Sequence, residues 1–232
     1  CCVGTLVAQP EYFEIKRNTI ISPNYTNSAK HGIYIGADGL SPLKVPTIGA
    51  IVEDNFVYGC YQNFLIYLPN TELRNNRSII TKSNHFAILS HDVLLQGNYV
   101  DSRIVPASAY TRIPRGVMMI PDSTGAYGTT RLVNNTFRGI TMAFSHSGAN
   151  EDVEIANNVF SRRSVGGGFD EAANLFVTCN TPAKLLFGGG NFYSWEDGSP
   201  IFTMNSAKTW AEFKASFDTT ARNEVPLFDE NG

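Results

Sequence analysis

Apolar and polar positions alternate over short stretches, and one phrase keeps returning: an apolar residue, two mostly polar or small ones, an asparagine, then β-branched or aromatic residues. It occurs at Ile15 to Ile20, Val52 to Val57, Leu73 to Asn76, Leu95 to Val100, Leu132 to Phe137, Ile155 to Phe160 and Gly188 to Tyr193. Its asparagines are Asn18, Asn55, Asn76, Asn98, Asn135, Asn158 and Asn191, separated by 37, 21, 22, 37, 23 and 33 residues. The gaps of 21 to 23 give the unit, and the longer ones equal that unit plus a loop of about 10 to 16 residues. A period of this size predicts a solenoid, because one unit alone cannot bury its apolar face. Asparagine tolerates left-handed backbone angles, so each is expected at the tight turn, with its amide bonded to the asparagines above and below.

A second strand-like run follows each phrase: Gly32 to Ile35, Phe64 to Leu68, Phe86 to Leu89, Val117 to Ile120, Ile140 to Phe144, Leu175 to Thr178 and Ile201 to Met204. Runs of four or five β-branched and aromatic residues have the length of strands. The pattern predicts at least two strands per coil and a single helix, over about 206 to 217.

Together these residues resemble the right-handed parallel β-helix of the pectate-lyase-like superfamily, over residues 12 to 204. The tail strengthens the resemblance, with Gly189 to Tyr193, Thr209 to Phe213, Phe217-Asp218 and Val225 to Phe228 resembling the closing segment of carbohydrate-active β-helix proteins. The expected architecture is all-β: a solenoid of about seven coils over 1–205, closed within the same domain by a short capping helix and tail over 206–232. The ends read as cut from something longer. Cys1-Cys2 would suit a lipidated start, but Val3 to Val7 already looks like a strand without a tether.

Composition narrows the partners. The chain of 232 residues is 43% hydrophobic, enough for a sizeable core, and its net charge of −3 gives no reason to expect nucleic acid. No run approaches the roughly 20 apolar residues of a membrane span. Cys60 and Cys179 lie in strand-like surroundings and read as small core residues. The resemblance implies a protein outside the cell, at its surface or in the periplasm, acting on a poly- or oligosaccharide.

In that superfamily the groove runs along one strand of each coil and the turn after it. The equivalent positions here are Asp38, Asn70, His91 with Asp92, Asp122, His146 and Asn180. Turns are polar in any protein, so what argues for function is the file, a row of hydrogen-bonding groups stepping about 4.8 Å per coil. Two insertions flank it: 101 to 116 carries Arg103, Tyr110, Arg112 and Arg115, and 161 to 173 carries Arg162, Arg163, Asp170 and Glu171. Loops of this length usually serve function or are disordered. A hydrolase or glycosyl transferase needs two carboxyl groups about the scissile bond, and Asp122 with Asp92, Asp170 or Glu171 would supply them. A lyase on a uronic-acid polymer needs a cation beside the carboxylate and a base, roles open to Arg112 or Arg115 and to His91, His146 or Tyr110. The motifs of polygalacturonase-like enzymes are absent, and counting carboxylates places the first chemistry slightly ahead. A β-helix that binds glycan without cleaving it, as in a phage spike or adhesin, is the third reading, and a homotrimer with sites between subunits would fit it or either enzyme.

No cofactor is expected. His85, His91 and His146 with Asp92 and Asp122 come from separate coils without a close-spaced ligand pair, which argues against zinc, while calcium in an Asp/Asn groove is the better metal reading. Gly166 to Gly168 and Gly188 to Gly190 lack the Lys-Ser/Thr of a phosphate loop. Trp195 and Trp210 fall in the C-terminal part, where Trp195 is open to stacking on a sugar but is expected to cover the last coil.

Overall fold

The computed structural model describes residues 12–22, 31–36, 49–103, 115–119, 128–140, 142–146, 152–162, 175–179, 184–195, 201–204 and 206–222. These residues form mostly strands, arranged in two sheets with one short helix. The seven-stranded first sheet holds β1 (Tyr12–Lys16), β4 (Gly49–Glu53), β6 (Thr71–Arg74), β8 (Leu94–Gln96), β11 (Thr129–Val133), β14 (Asp152–Ala156) and β17 (Leu185–Gly189). Every neighbouring pair in it is parallel.

After each of these strands the chain turns at the asparagine and enters the thirteen-stranded second sheet. The entering segments are β2 (Thr19–Ile21), β5 (Phe56–Ile66), β7 (Arg77–Ile88), β9 (Tyr99–Asp101), β12 (Thr136–Ile140), β15 (Val159–Arg162) and β18 (Phe192–Trp195). A further rank is made by β3 (His31–Ile35), the later halves of β5 and β7, β10 (Arg115–Met119), β13 (Met142–His146), β16 (Leu175–Cys179) and β19 (Ile201–Met204). β20 (Ser206–Lys208) returns antiparallel against β19, so the predicted start of the helix is a strand. The helix itself, α1, spans Trp210–Ser216 behind a Thr209–Glu212 capping box. No helix among the described residues is long and apolar enough to cross a membrane.

The core is one cluster that draws on both sheets. Register makes it: Val52, Leu73, Leu95, Leu132 and Ile155 form one buried file, and Val57, Ser78, Val100, Phe137, Phe160 and Tyr193 another. Phe137 stacks on Phe160 at 5.2 Å between ring centroids, and Phe160 on Tyr193 at 5.4 Å. Cys60 is buried in the same core. The outer face of the first sheet is by contrast charged, with Lys16 between Glu14 and Glu53, Arg131 on Glu154 and Lys184 on Asp152. Exposed pairs of this kind contribute little to stability.

The seven asparagines stack as the repeat predicts. At each of the six steps the backbone N–H and the side-chain Nδ2 of one asparagine both donate to Oδ1 of the next, at 2.9–3.1 Å. Their backbone angles differ from expectation. The left-handed residue is the one before each: Arg17, Asp54, Asn75, Gly97, Asn134, Asn157 and Gly190. That place is mostly exposed, whereas the ladder asparagines after Asn18 are at most 1% exposed and serve as buried hydrogen-bond hubs. Glycine at 97 is required on a second count, since a Cβ there would lie 2.5 Å from Asn75 Oδ1.

The ladder ends on a carboxylate. Asn191 Nδ2 donates to Asp218 Oδ2 at 2.9 Å, and the Tyr193 hydroxyl donates to the same oxygen at 3.3 Å. An ionised carboxylate only accepts hydrogen bonds, so it suits the last place in a row where each member must receive from the one before. Phe213 of α1 is fully buried against Phe187 and Tyr193, and Trp210 meets Tyr193 edge-on at 5.8 Å, covering this end of the core. The side chain of Trp195 lies outside the described residues.

Candidate functional site

The predicted groove positions are organised by the turn that leads from the second sheet back to the first. Ile66 pairs with Ile88, and the Leu89 N–H donates to the Ile66 carbonyl at 2.8 Å, so β5 and β7 leave the sheet side by side. Four residues beyond that pair stand Asn70 and Asp92, with φ of 52° and 53°. They occupy the same place in consecutive units. Asparagine and aspartate are among the few side-chain-bearing residues that accept this conformation readily.

Asp92 uses the position for more than the turn. Its Oδ1 accepts the Thr129 N–H at 2.9 Å, and its Oδ2 faces His91 Nδ1 at 2.8 Å. Burial pushes the Asp92 carboxyl up, but the Thr129 N–H and the His91 ring outweigh it and hold the group below the usual carboxylate value. Asp92 is therefore an ionised acceptor that fixes the imidazole by its Nδ1–H, leaving Nε2 to exchange a proton. The His91 side chain is 20% exposed. Gly128 belongs to the arrangement, because a Cβ there would lie 2.6–2.7 Å from the Asp92 carboxylate atoms. The Ser90 hydroxyl, next to His91 in sequence, is screened from solvent and without a hydrogen-bond partner.

The other predicted residues lie apart from this pair or outside the described residues. His146 ends β13 in register with Met119 and Cys179, which places it in the strand file of Ile66 and Ile88 and not at the turn position of Asn70 and Asp92. Arg115 opens β10 beside Asn84 and Met142, and its guanidinium reaches Met118 Sδ at 3.0 Å. Arg162 closes β15 between Ile140 and Trp195, in the other rank of the second sheet. Asp38, Tyr110, Arg112, Asp122, Arg163, Asp170, Glu171 and Asn180 fall outside the described residues. His85, considered as a metal ligand, is fully buried between the Ser78 hydroxyl at 2.8 Å and the Ser102 hydroxyl at 2.7 Å. Among the described residues no group of three or more His, Cys, Asp or Glu could hold a metal ion.

Two aromatic side chains beside this turn escape a reading that looks for polar turn residues. Tyr34 and Tyr67 lie with ring centroids 5.5 Å apart, Tyr67 in the stretch that leads to Asn70 and Tyr34 on the neighbouring strand. Their signal in the sequence is slight: each follows a core residue within a strand-like run, at an alternate position. No family model matches this chain, and no curated protein or solved structure matches it.

Proposed function

We propose that the two parallel sheets and their asparagine turns wind as a right-handed parallel β-helix of about seven coils that acts on an extended poly- or oligosaccharide, with His91 as the proton-transfer group. The carrying observation is the pair formed by His91 Nδ1 and Asp92 Oδ2 at 2.8 Å on a turn of the repeat. Parallel strands present equivalent groups about 4.8 Å apart, a spacing suited to a polymer with repeating hydroxyls. Because Asp92 is held ionised by two hydrogen bonds, it does not supply the protonated carboxyl that a carboxylate-pair mechanism requires. It supports base catalysis by His91 instead.

The chemistry this favours is elimination on a uronic-acid polymer. His91 Nε2 takes the proton from C5, the C5–H electron pair becomes the C4–C5 double bond, and the C4–O bond breaks. The departing oxygen takes a proton from solvent. The reaction also needs a cation beside the carboxylate that acidifies C5, a role the sequence leaves open to Arg112.

Incubation with a panel of acidic and neutral glycans, read by ultraviolet absorbance of the unsaturated product and by new reducing ends, tests this. Product absorbance is expected with a uronic-acid polymer and is expected to fall by at least 100-fold in His91→Gln, the scale at which general-base catalysis contributes. Reducing ends without absorbance would favour the carboxylate-pair hydrolase. Absence of both, with glycan binding retained, would leave a glycan-binding β-helix. A second variant probes the support of His91: Gly128→Ala is expected to displace the Asp92 carboxylate and lower turnover about tenfold with the fold intact, as supporting hydrogen-bond partners commonly do. Turnover equal to that of the parent protein would argue against any part for Asp92.

A further inference from the structure

We infer that Tyr34 and Tyr67 form a sugar subsite that takes a pyranose ring by its C–H face, beside His91; this rests on the glycan reading above. The two rings are tilted by 48° at 5.5 Å, and both are partly buried, with the Tyr34 hydroxyl screened from solvent. Tyr34 continues into His31 at 6.1 Å, and His31 into Tyr61 at 6.2 Å, so four rings line one part of the outer surface.

The row is set by register and by one glycine. Tyr34 pairs with Leu65, at an alternate position between the core residues Ile33 and Ile35, so it stands on the outer side of β3. Tyr67 stands two residues beyond Leu65, with its N–H bonded to the Ile35 carbonyl at 2.8 Å. Gly36 lies against it. A Cβ at that residue would run into the Cβ of Tyr67, and its φ of 120° is itself unfavourable for other residues. Glycine at 36 therefore lets the Tyr67 side chain settle against the preceding strand, next to Tyr34.

The same register brings the row to the proposed proton-transfer group. Leu89 is the neighbour of Tyr67 in the next unit, because Ile66 pairs with Ile88, and His91 follows two residues later. Strand spacing and rise put that separation on the order of 8 Å. A sugar resting on Tyr67 thus has its neighbours along the polymer within reach of His91.

The chemistry of the row selects a sugar ring. Tyr67 offers an apolar ring and a polar tip, matching a pyranose that is apolar over its C–H face and polar at its rim, while Tyr34 adds ring face alone. No charged side chain belongs to the row, so contact here reads the ring face and leaves charge recognition to other parts of the groove.

Calorimetric titration of the protein with two size-defined probes, a uronic-acid oligosaccharide and a neutral β-linked gluco-oligosaccharide, tests the inference. Tyr34→Ala and Tyr67→Ala are each expected to weaken binding roughly five- to tenfold, while Tyr67→Phe stays within about twofold because the ring remains. If the parent binds a probe and both alanine variants bind it equally well, the subsite is wrong and the glycan reading survives. If Tyr67→Phe loses as much as Tyr67→Ala, the hydroxyl and not the ring face makes the contact, and stacking is overturned. If the parent binds neither probe and shows no product from either, both readings fall together.

Discussion

Replacing Asn76 with alanine is expected to cost the fold about 3–6 kcal/mol, against about 1 kcal/mol or less for the same change at Asn18. The two residues play the same part in the ladder, at different depths. Asn76 is fully buried; its Nδ2 donates to the Val52 carbonyl at 2.8 Å and to Asn98 Oδ1, and its Oδ1 receives both Asn55 donors. Asn98 Oδ1 keeps the Asn76 N–H and Asn55 Nδ2 keeps the Ile15 carbonyl, but the Asn55 N–H and the Val52 carbonyl lose this partner where water cannot replace it, at about 1–3 kcal/mol for each buried group, and the lost side chain leaves a cavity besides. Asn18 is exposed, its backbone N–H still reaches Asn55 Oδ1 after substitution, and water can satisfy what its amide releases. Domains are typically stable by only 5–15 kcal/mol, so the inner substitution removes a large part of the total. Urea unfolding followed by circular dichroism measures both. Equal midpoints for the two variants would mean that the ladder follows the strands and does not hold them.

The ladder is also the part of the molecule most legible in the sequence, and its limits are physical. Asn18 through Asn191 announce themselves because each unit needs a side chain that both donates and accepts at one place, and only an amide does so with this reach. The backbone conformation of the turn was displaced by one residue. Asparagine satisfies both the hydrogen-bonding and the left-handed requirement, and in Asn75-Asn76, Asn134-Asn135 and Asn157-Asn158 the two requirements fall on adjacent asparagines. Ser206 to Lys208 reads as the first turn of a helix, yet pairing with β19 outweighs local preference there.

The site was legible to a smaller extent. Asn70, His91 and Asp92 come together because they belong to turns at equivalent places in consecutive units. His146 instead ends β13 in the file of Ile88, inside the strand, because that strand runs two residues beyond the apolar run Ile140 to Phe144 that marks it in the sequence. The nearness of Tyr34 to Tyr67 depends on which strand lies beside which, together with a glycine that leaves room. Those are facts of register, and no single unit displays them.

Lowering the pH from 6.5 to 4 is expected to cost about 3 kcal/mol of stability through His85. This side chain stands inside the core. Its two nitrogens face the hydroxyls of Ser78 and Ser102, and Asn63 Nδ2 donates to the same Ser78 oxygen at 2.8 Å. Two hydroxyls satisfy a neutral imidazole, one accepting and one donating, but they provide no counter-charge. Burial pushes the His85 pKa from 6.5 down to about 3, against a weaker opposing pull from Asp101. A folded value below the unfolded one means that the unfolded chain takes up the proton first. Stability is then fully present above pH 6.5 and falls at about 1.4 kcal/mol per pH unit toward pH 3. Burial also lowers the pKa of His31, which adds to the same slope, whereas Asp92 and Asp101, held below the usual carboxylate value, act only in the more acid part of the range. The His31→Gln background separates the two histidines. In that background the urea midpoint is expected to drop steadily from pH 6.5 to 4, and the further change His85→Gln, which keeps a neutral hydrogen-bonding side chain, is expected to flatten most of the drop. Should the double variant not fold, nuclear magnetic resonance of the ring protons gives the same answer: His85 is expected to remain neutral in the folded protein at pH 4. Titration of that ring near pH 6 would show that the core admits the charge, and that Ser78 and Ser102 do not hold the imidazole neutral.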